Sequence, residues 1–566
     1  MSQPPPAQTP ASTPNSKPDE GKSRYRATLN LPQTPFPMKA NLVQSEPASV
    51  KRWKGGGVYK KLREARAGKP VWSFHDGPPY ANGNIHLGHL MNKCLKDIVV
   101  RSKSMQGFDV PYVPGWDCHG LPIEHKVATE MMEGAKGEKL RTLDNWTRAT
   151  VVRRECQKHA EKFVKVQAAQ MERLLTIGDY DNPYLTMSKE YEGATLEVLV
   201  GLMDRGIVFR ALKPVHWSIA NETALAEAEL EYQDREDLSV YVDFEAADAD
   251  SVYDAFGLHE APEDEAAGED ESVTAESARI PRAGTRPMQR PCFMIWTTTP
   301  WTLPANLAIA VNPALEYALA WVDGNVTVMA ADAVDRVCKA SKSEQHVVLA
   351  RAPGASLVGL RYRHPFVDGT AHAGAKGEAG GFRVVGADYV TLEDGTGLVH
   401  TAPGHGTEDY QTGMRTGLPI YCPVKGDGTY DASVPEWLRG MDIWKANELI
   451  AKRLRESGHL FYEHRFTHSY PHDWRSKTPV IFRCTEQWFV GVDRPFSVDG
   501  DAPRSLRERA LGATEGGGVG FVPEWGRNRM RGMLESRPDW CISRQRAWGV
   551  PIPAFELPDG SMFMTV

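Results

Sequence analysis

The stretch that decides the fold is DGPPYANGNIHLGHL, which runs from Asp76 to Leu90. A short apolar run at residues 71–74 precedes it and predicts a buried strand. Apolar residues then recur at helical spacing, at Leu87, Leu90, Cys94, Leu95, Ile98 and Val99. His86 and His89 are therefore expected where a strand turns into a helix, and Gly88 lets the backbone approach a ligand closely. Free N–H groups and the helix dipole at such a corner favour an anion such as a phosphate.

The four residues H-L-G-H are a weak signal by themselves, because such a tetrapeptide occurs by chance. Two loop histidines that cap a helix start are the purely structural alternative. In a nucleotide site, the same two imidazoles would donate hydrogen bonds to charge that builds on a phosphoryl group.

A second block, PYVPGWDCHGLPIE, runs from Pro111 to Glu124. Residues 110–113 predict a second strand, and strand–helix–strand is the unit of a doubly wound parallel sheet. Ligands of such sheets lie beyond the carboxyl ends of the strands, where we expect Asp117. A carboxylate there suits the α-ammonium of an amino acid, and a loop-stabilising aspartate is the structural alternative.

The fifteen residues of the first block, in one register, resemble the class I aminoacyl-tRNA synthetases. DGPPYANG followed by IHLGH resembles the isoleucyl-tRNA synthetases in particular. The resemblance implies an α/β, Rossmann-like nucleotide-binding fold in which His86 and His89 are catalytic and bind ATP together with Gly88. It also implies an amino-acid pocket formed by Gly77, Pro78 and Asp117.

Two later blocks carry hydroxyl, imidazole and carboxylate groups. In CFMIWTTTPWTLPANLAIAVNP, residues 292–313, a predicted strand ends in Thr297, Thr298 and Thr299, which can position a water or an ester carbonyl. Threonine is also favourable strand material, and this alternative stays open. In GTGLVHTAPGHGTEDY, residues 395–410, no G-K-[ST] follows the glycines, so a phosphate loop is not indicated. Metal binding by the two histidines of that block is a weak alternative.

Both blocks resemble the strand-rich editing domain that isoleucyl-, valyl- and leucyl-tRNA synthetases insert into the catalytic fold. The resemblance implies that Asp409 holds the ammonium of a misattached amino acid. It makes Thr297, Thr298, Thr299, Asn306 and His400 pocket residues. Valine lacks one methylene of isoleucine, and for this enzyme class itself that difference is known to be worth about 1–3 kcal/mol. A second, hydrolytic site for the valyl product removes the resulting error.

A further block, RPDWCISRQRAWGVPIP, sets arginines among tryptophans at residues 537–553. They are Arg537, Arg544, Arg546, Trp540 and Trp548. Arginines interleaved with aromatic residues suit an RNA backbone and stacked bases. Packing at a domain junction explains them equally well.

Composition is that of a globular protein with two or three domains: 566 residues, 41% hydrophobic, 25% charged, with a net charge of −7. The eight cysteines include no C-x-x-C pair, which fits reduced thiols and no zinc site. The sequence contains no membrane-spanning run and no apolar signal-peptide core, so we expect a cytoplasmic protein.

Composition shifts and the resemblance divide the chain. The expected divisions are a disordered tail (1–22), an N-terminal extension with the first half of the catalytic Rossmann-like domain (23–212), the inserted editing domain (213–440) and a return segment towards the catalytic domain (441–566). Residues 258–285, strongly acidic, predict a solvated loop. Gly55, Gly56 and Gly57 predict a bend in a helix, since glycines cost about 2–3 kcal/mol together in its interior.

The sequence contains no K-x-S-K, and the resemblance places such a lysine loop in the second half of the nucleotide fold. We therefore expect an N-terminal portion that ends before this loop. The expected function is ATP-dependent activation of isoleucine, its transfer to isoleucine tRNA, and editing of valyl-tRNA. Magnesium is expected with ATP, and the whole enzyme is expected to be a monomer. A trans-editing hydrolase, a split synthetase with a complementing chain, and an inactive fragment are the alternatives.

Overall fold

The computed structural model describes residues 28, 30, 35, 39–132, 137, 140, 142–259, 280–366 and 382–564. The predicted tail at 1–22 and most of the acidic loop, residues 260–279, lie outside the described residues. Among the described residues, no helix combines the length and the apolarity that crossing a bilayer requires.

The described helices and strands are interspersed along the chain. The helices are α1 (Leu42–Gly55), α2 (Val58–Ala65), α3 (Leu87–Met105), α4 (Leu121–Met132), α5 (Asn145–Arg173), α6 (Lys189–Asp204), α7 (Ala249–Ala255), α8 (Val334–Ser341), α9 (Thr407–Thr416), α10 (Ile443–Glu456), α11 (Leu506–Glu515) and α12 (Gly526–Ser536). The strands are β1 (Gly115–Trp116), β2 (Tyr184–Leu185), β3 (Val208–Ser218), β4 (Thr223–Leu225), β5 (Leu230–Glu245), β6 (Cys292–Thr297), β7 (Ala308–Val311), β8 (Glu316–Val322), β9 (Asn325–Ala330), β10 (His346–Pro353), β11 (Arg383–Gly386), β12 (Val399–Thr401), β13 (Leu460–Asp473), β14 (Val480–Val490), β15 (Trp540–Cys541), β16 (Phe555–Glu556) and β17 (Met562–Phe563).

The chain divides into two compact units, and the first contains α1, α2 and α3. It comprises the described residues up to Gly77, then 83–114 and 163–183. The predicted bend at the three glycines is confirmed, because α1 ends at Gly55 and α2 begins at Val58. Gly57 between them has φ +58°, a left-handed conformation that glycine adopts without strain.

Helix α3 confirms the predicted helix, whereas the two strands predicted on either side of it do not form. Val71 and Asp109 make a single parallel bridge, with hydrogen bonds from Trp72 N to Asp109 O (2.8 Å) and from Asp109 N to Pro70 O (3.0 Å). The parallel pairing is as expected, but it does not extend into a ladder. Prolines at 70, 111 and 114 explain this, because proline has no N–H to donate.

The second unit comprises residues 78–82, 115–162 and 184 onwards, and most of its strands lie in three sheets. The sheet orders are β10-β8-β9-β6-β5-β13, β11-β7-β12 and β15-β14-β3-β4. Strand β6 confirms the strand predicted before the threonine loop. The domain limits 213–440 remain a prediction; strand β3 spans residue 213, and β13 of the six-stranded sheet follows residue 440.

The core of the second unit is apolar and lies around the six-stranded sheet. Fully buried side chains come from its central strands and from α10, among them Phe244, Phe293, Ile295, Tyr317 and Ile450. Large buried apolar side chains stabilise a fold by about 1.5–3 kcal/mol each. This core holds the ends of β6 and β12 in fixed positions, which matters for the pocket described below.

Candidate functional site

The two histidines of the first block form the start of α3. His86 is the N-cap residue, and its Nδ1 accepts a hydrogen bond from Gly88 N at 3.1 Å. His89 Nδ1 accepts in turn from His86 N at 3.3 Å, and the ring centroids lie 4.0 Å apart. This reciprocal arrangement satisfies backbone donors that the first turn of a helix leaves open.

The cap also fixes where the two rings carry their protons. A nitrogen that accepts a hydrogen bond is unprotonated, so a neutral His86 or His89 ring bears its proton on Nε2. Burial, with further contributions from the neighbouring His86 and Lys93, lowers the pKa of His89 and favours its neutral form. Two Nε2–H donors at a helix N-terminus suit a phosphoryl group, and the structural and functional explanations are therefore compatible.

Gly88 is required at this corner for a reason that the sequence did not indicate. A Cβ at this position would lie 2.9 Å from Cε1 of His86, because the capping ring folds over the glycine. Real Cβ contacts are not this short, so any larger residue would displace the cap. The predicted close approach of a ligand to the backbone at Gly88 stays a prediction.

A buried ion cluster that sequence analysis missed lies beside α3. Asp76 forms ion pairs with Lys93 and Lys96, and it accepts a hydrogen bond from Tyr112 Oη at 3.0 Å. Lys93 is only 5% exposed, whereas Leu87 and Leu95 of the predicted apolar face are exposed. Burial opposes ionisation of Asp76, but the two lysines hold its pKa below the usual value. The sequence feature that could have indicated this cluster was Lys93, a charged residue within the predicted helix that the pattern of apolar residues did not explain.

Asp117 lies in a loop that is fixed by backbone hydrogen bonds. Asp117 N donates to Pro79 O at 2.9 Å, and Ala81 N donates to Asp117 O at 2.8 Å. The carboxylate accepts from His119 N at 3.3 Å and makes no salt bridge to a described cationic side chain. Burial raises the pKa of Asp117, against the lowering effect of its hydrogen bonds. A half-buried carboxylate without a cation is well suited to an ammonium ligand. Gly77 and Pro78 precede this segment in the chain.

The segment RQRAWG packs against the loop that carries Asp117. Trp548 is buried, and its Nε1 donates to Cys118 O at 2.7 Å while its backbone N donates to Glu124 Oε2 at 2.9 Å. Arg544 binds Glu229 at 2.9 Å, and Arg546 lies 3.7 Å from Glu124. These three side chains are thus packed within the second unit, and their predicted contact with RNA stays a prediction. They line a cavity of about 330 Å³.

The threonine loop after β6 is held by its own hydroxyl groups. Thr297 Oγ1 accepts from Thr299 N at 3.0 Å and lies 3.1 Å from Thr299 Oγ1. Thr302, a residue that sequence analysis missed, donates to Thr299 O at 2.8 Å. Thr297 is buried, whereas Thr298 and Thr299 are half-buried at the edge of the loop. Thr297 therefore ends strand β6, and Thr298 and Thr299 form a hydroxyl-rich turn after it.

His400, on β12, ties this loop to the three-stranded sheet. Its Nε2 lies 2.7 Å from Thr302 Oγ1, and its Nδ1 lies 3.2 Å from Asn306 Nδ2. An amide N–H₂ only donates, so Nδ1 accepts and Nε2 carries the proton towards Thr302. Burial lowers the pKa of His400 to about 3, which keeps the ring neutral. Tyr362, also missed, fixes Asn306 by donating to its Oδ1 at 2.5 Å.

Asp409 lies at the start of α9, close to the end of β12. Its Oδ2 accepts from Ala402 N at 2.8 Å, and Tyr389 Oη lies 3.4 Å from Oδ1. Burial raises the pKa of Asp409 to about 7, and the acidic neighbour Glu408 adds to this effect. The structure thus brings His400 and Asp409 to one end of β12. Tyr389 is a further residue that no sequence signal had indicated.

A comparison with known families decides the class. The family model of class I tRNA synthetases (I, L, M and V) matches residues 48–565. The chain belongs to this family. Its fold is therefore the α/β fold of the class I synthetases, together with the strand-rich part that contains the threonine loop and Asp409.

The curated relatives described next are isoleucine–tRNA ligases. The chain is 43% identical over 535 residues to an isoleucine–tRNA ligase of Kosmotoga olearia, a match that covers 94% of the chain and 50% of the relative. It is 45% identical over 531 residues to that of Geobacter sulfurreducens, covering 94% and 51%. The chain spans about half the length of the curated relatives it matches. Among solved structures, it aligns with Agrobacterium radiobacter LeuRS in a ternary complex at 14% identity and a TM-score of 0.28, covering 84% of the chain and 53% of that structure.

Proposed function

We propose that this chain takes part in isoleucine–tRNA ligation, with hydrolytic editing of valyl-tRNA. The observation that carries the proposal is a pair of ammonium-suited carboxylates, Asp117 and Asp409, in a chain 43% identical to an isoleucine–tRNA ligase. Each carboxylate is partly buried, forms no salt bridge with a lysine or arginine of the described residues and has a raised pKa. Two such sites match one amino-acid pocket for synthesis and one for editing.

In the synthetic reaction, His86 and His89 stabilise charge on the α-phosphate of ATP. Each neutral ring presents an Nε2–H while its Nδ1 is held by the helix cap. Hydrogen bonds that are already oriented towards developing charge lower the barrier, because no reorganisation is needed at the moment of reaction. Asp117 pairs with the ammonium of isoleucine, and Gly77 and Pro78 line that pocket.

In the editing reaction, Asp409 anchors the ammonium of the misattached valine. The hydroxyls of Thr298 and Thr299 then position the water or the ester carbonyl at the edge of the loop. Both ring nitrogens of His400 are occupied by Thr302 and Asn306, so it positions the loop and does not act as an acid or a base. Selectivity follows from a pocket that admits valine and excludes isoleucine.

The proposed partners are isoleucine, ATP and isoleucine tRNA. We further propose that the whole enzyme is a cytoplasmic monomer. Magnesium accompanies the ATP phosphates. Among the described residues, no group of three or more His, Cys, Asp or Glu side chains could hold a metal ion, and no step above depends on one.

A hydrolase that edits in trans is the second candidate. The observation that favours it is that the groups of the editing pocket are held by hydrogen bonds among themselves, from His400 to Thr302 and Asn306 and from Ala402 N to Asp409. Such an enzyme needs no adenylate chemistry. A split synthetase would need a complementing chain.

The test measures deacylation of valyl-tRNA for isoleucine by the purified chain, with isoleucine-dependent ATP–pyrophosphate exchange in parallel. Both activities support the full proposal, and deacylation without exchange supports the second candidate. Asp117→Ala should abolish exchange and leave deacylation unchanged, since the two carboxylates serve different pockets. Exchange that survives in Asp117→Ala contradicts the assignment, and absence of both activities rejects the two candidates together.

A further inference from the structure

A cavity beside the loop that carries Asp117 has walls rich in arginine, and it is called the arginine cavity below. Its volume is about 330 Å³. Among the described residues that line it, Arg153, Arg544 and Arg546 are arginines and Glu229 is the one acidic residue. All of the lining residues belong to the second unit. A concave space with apolar walls and a few polar groups is the usual form of a ligand site.

Arg544 is committed to internal contacts. Its Nη2 donates to Glu229 Oε2 at 2.9 Å, and its Nη1 donates to the carbonyl oxygens of Cys541 at 3.0 Å and Ser543 at 2.8 Å. Glu229 therefore compensates the charge of Arg544. The positive charge that the arginine cavity can offer to a ligand comes from the other two arginines.

Arg153, on α5, is oriented by backbone carbonyls of the cavity wall. Its Nη1 donates to Ala547 O at 2.6 Å and to Gly549 O at 3.1 Å, and its guanidinium lies 5.7 Å from the centre of the Trp548 ring. Its Nε and Nη2 make no hydrogen bond with the described residues, so these donors remain available. A fixed guanidinium with available donors suits a phosphate, because its planar shape matches two phosphate oxygens.

Arg546 makes fewer internal contacts. Its Nε donates to Gln545 O at 3.0 Å and lies 3.7 Å from Glu124 Oε1. Glu124 is buried and already accepts from Ala547 N at 3.3 Å and from Trp548 N at 2.9 Å. Among the described residues, neither Nη atom of Arg546 has a hydrogen-bond partner. Two guanidinium groups with unused donors therefore line the arginine cavity.

Hydrogen bonds join the arginine cavity to the loop of Asp117. Gly120 lines the cavity, and its N donates to Trp548 O at 3.3 Å, while Trp548 Nε1 donates to Cys118 O at 2.7 Å. Trp548 is buried, so the cavity offers charge to a ligand and not a ring on which a base can stack. In the proposed function, isoleucine lies at Asp117, and the 3′ end of a tRNA must reach the same place to receive it.

We propose that Arg153 and Arg546 bind a phosphate group of the single-stranded 3′ end of tRNA and guide that end to the amino-acid pocket. The identity of this ligand rests on the proposed function. Contacts to phosphate position a nucleic acid without reading its sequence, as a site for the common CCA end requires. Both arginines are binding residues, because no bond is made or broken at the phosphate.

The experiment measures the affinity of the purified chain for a short oligoribonucleotide that ends in CCA, by fluorescence anisotropy at several salt concentrations. For wild type, log Kobs should fall linearly with log[salt], since each phosphate neutralised on a single strand adds about −0.7 to the slope. Arg546→Gln should weaken binding about tenfold and make the slope shallower by about 0.7, because it removes one charged contact. A residue with a purely structural role would leave the slope unchanged.

Three further variants separate charge from shape and from general effects. Arg546→Lys keeps the charge and should keep the slope. Arg153→Lys keeps the charge but loses the planar guanidinium, so it should weaken binding with little change of slope. This variant decides the proposal if Arg546→Gln does not fold. Arg351→Gln removes a charge from β10, where Arg351 is exposed and outside the cavity, and should bind like wild type.

The titration can overturn the proposal in two ways. Wild type that does not bind the oligoribonucleotide contradicts it, and so does an Arg546→Gln variant with the affinity and slope of wild type. Inorganic pyrophosphate is the second probe: if it binds in an Arg546-dependent way and the oligoribonucleotide does not, the cavity takes free phosphate and the assignment to tRNA is wrong. The titration needs no catalysis, so its outcome is separate from failure of the proposed function, which is the absence of both deacylation and exchange.

Discussion

The molecule contains two pairs of histidines that differ in how their nitrogens are used. His86 and His89 are three residues apart, and their Nδ1 atoms accept hydrogen bonds from the first turn of α3. His400 and His405 are buried, and their partners Thr302, Asn306 and Phe482 lie 77 to 98 residues away. The cap uses only the Nδ1 atoms of the first pair, whereas both ring nitrogens of His400 are occupied. A histidine in a motif can offer a nitrogen to a ligand only where the fold leaves that nitrogen unoccupied.

We expect the largest effect from Asp409→Ala, a change close to the second pair of histidines. Loss of the ammonium partner should reduce deacylation of valyl-tRNA about 100-fold or more, since a close charge pair is worth roughly 2–5 kcal/mol. Asp409→Asn preserves the shape and the bond to Ala402 and should be equally defective. Glu408→Ala is the matched control, because Glu408 is exposed on the same turn and should retain activity. Near-normal deacylation by Asp409→Ala would remove the anchor from the proposal.

A smaller effect is expected from pH. Burial raises the pKa of Asp409 to about 7. Below that pH the carboxyl is protonated and cannot pair with an ammonium, so kcat/KM for deacylation should fall about tenfold per pH unit between pH values of about 6 and 5. After subtraction of spontaneous ester hydrolysis, the Asp409→Asn profile should be flat in this range. A wild-type profile that is flat as well would contradict the role of the raised pKa.

Thr302→Val tests whether His400 is a positioning residue. The change leaves Nε2–H of a buried, neutral histidine without an acceptor, which should lower the free energy of unfolding by about 1–3 kcal/mol. Denaturant unfolding measures this quantity. Thr302→Ser keeps the hydroxyl and should restore most of the stability. If both variants are as stable as wild type, the hydrogen bond from His400 does not hold the loop.

Gly88→Ala tests the first pair of histidines, His86 and His89. We expect it to have the smallest effect on stability. The added methyl would meet the His86 ring and displace the cap, at a cost of about 1 kcal/mol of helix stability. Thermal unfolding reports the loss, and the imidazole resonances of His86 in an NMR spectrum report the displacement. Gly83→Ala is not a suitable control because Gly83 has φ +82°. Gly77→Ala is suitable for unfolding, since nothing lies within 4 Å of its Cβ position and its φ is not positive.

Sequence alone predicted the features that depend on neighbouring residues. The helix after His86, the bend at Gly57 and the strand before Thr297 follow from local periodicity, capping and glycine conformation. The predictions of strands at residues 71–74 and 110–113 were wrong. Both segments are apolar, but Pro70 and Pro111 lack the N–H groups that a strand ladder needs. The candidate site residues could also be named from sequence, since they lie within continuous blocks, and their roles stay predictions.

The tertiary structure decided the partners of these residues. The ion pair of Asp76 with Lys93 and the Thr302–His400 bond join positions 17 and 98 residues apart. Sequence periodicity does not encode such pairs. The packing of distant segments decides which face of a helix or strand is covered and which residues cover it. Burial then sets the protonation of His400 and Asp409. The sequence supplied the reactive groups, and tertiary packing determined which of their atoms remain available for chemistry.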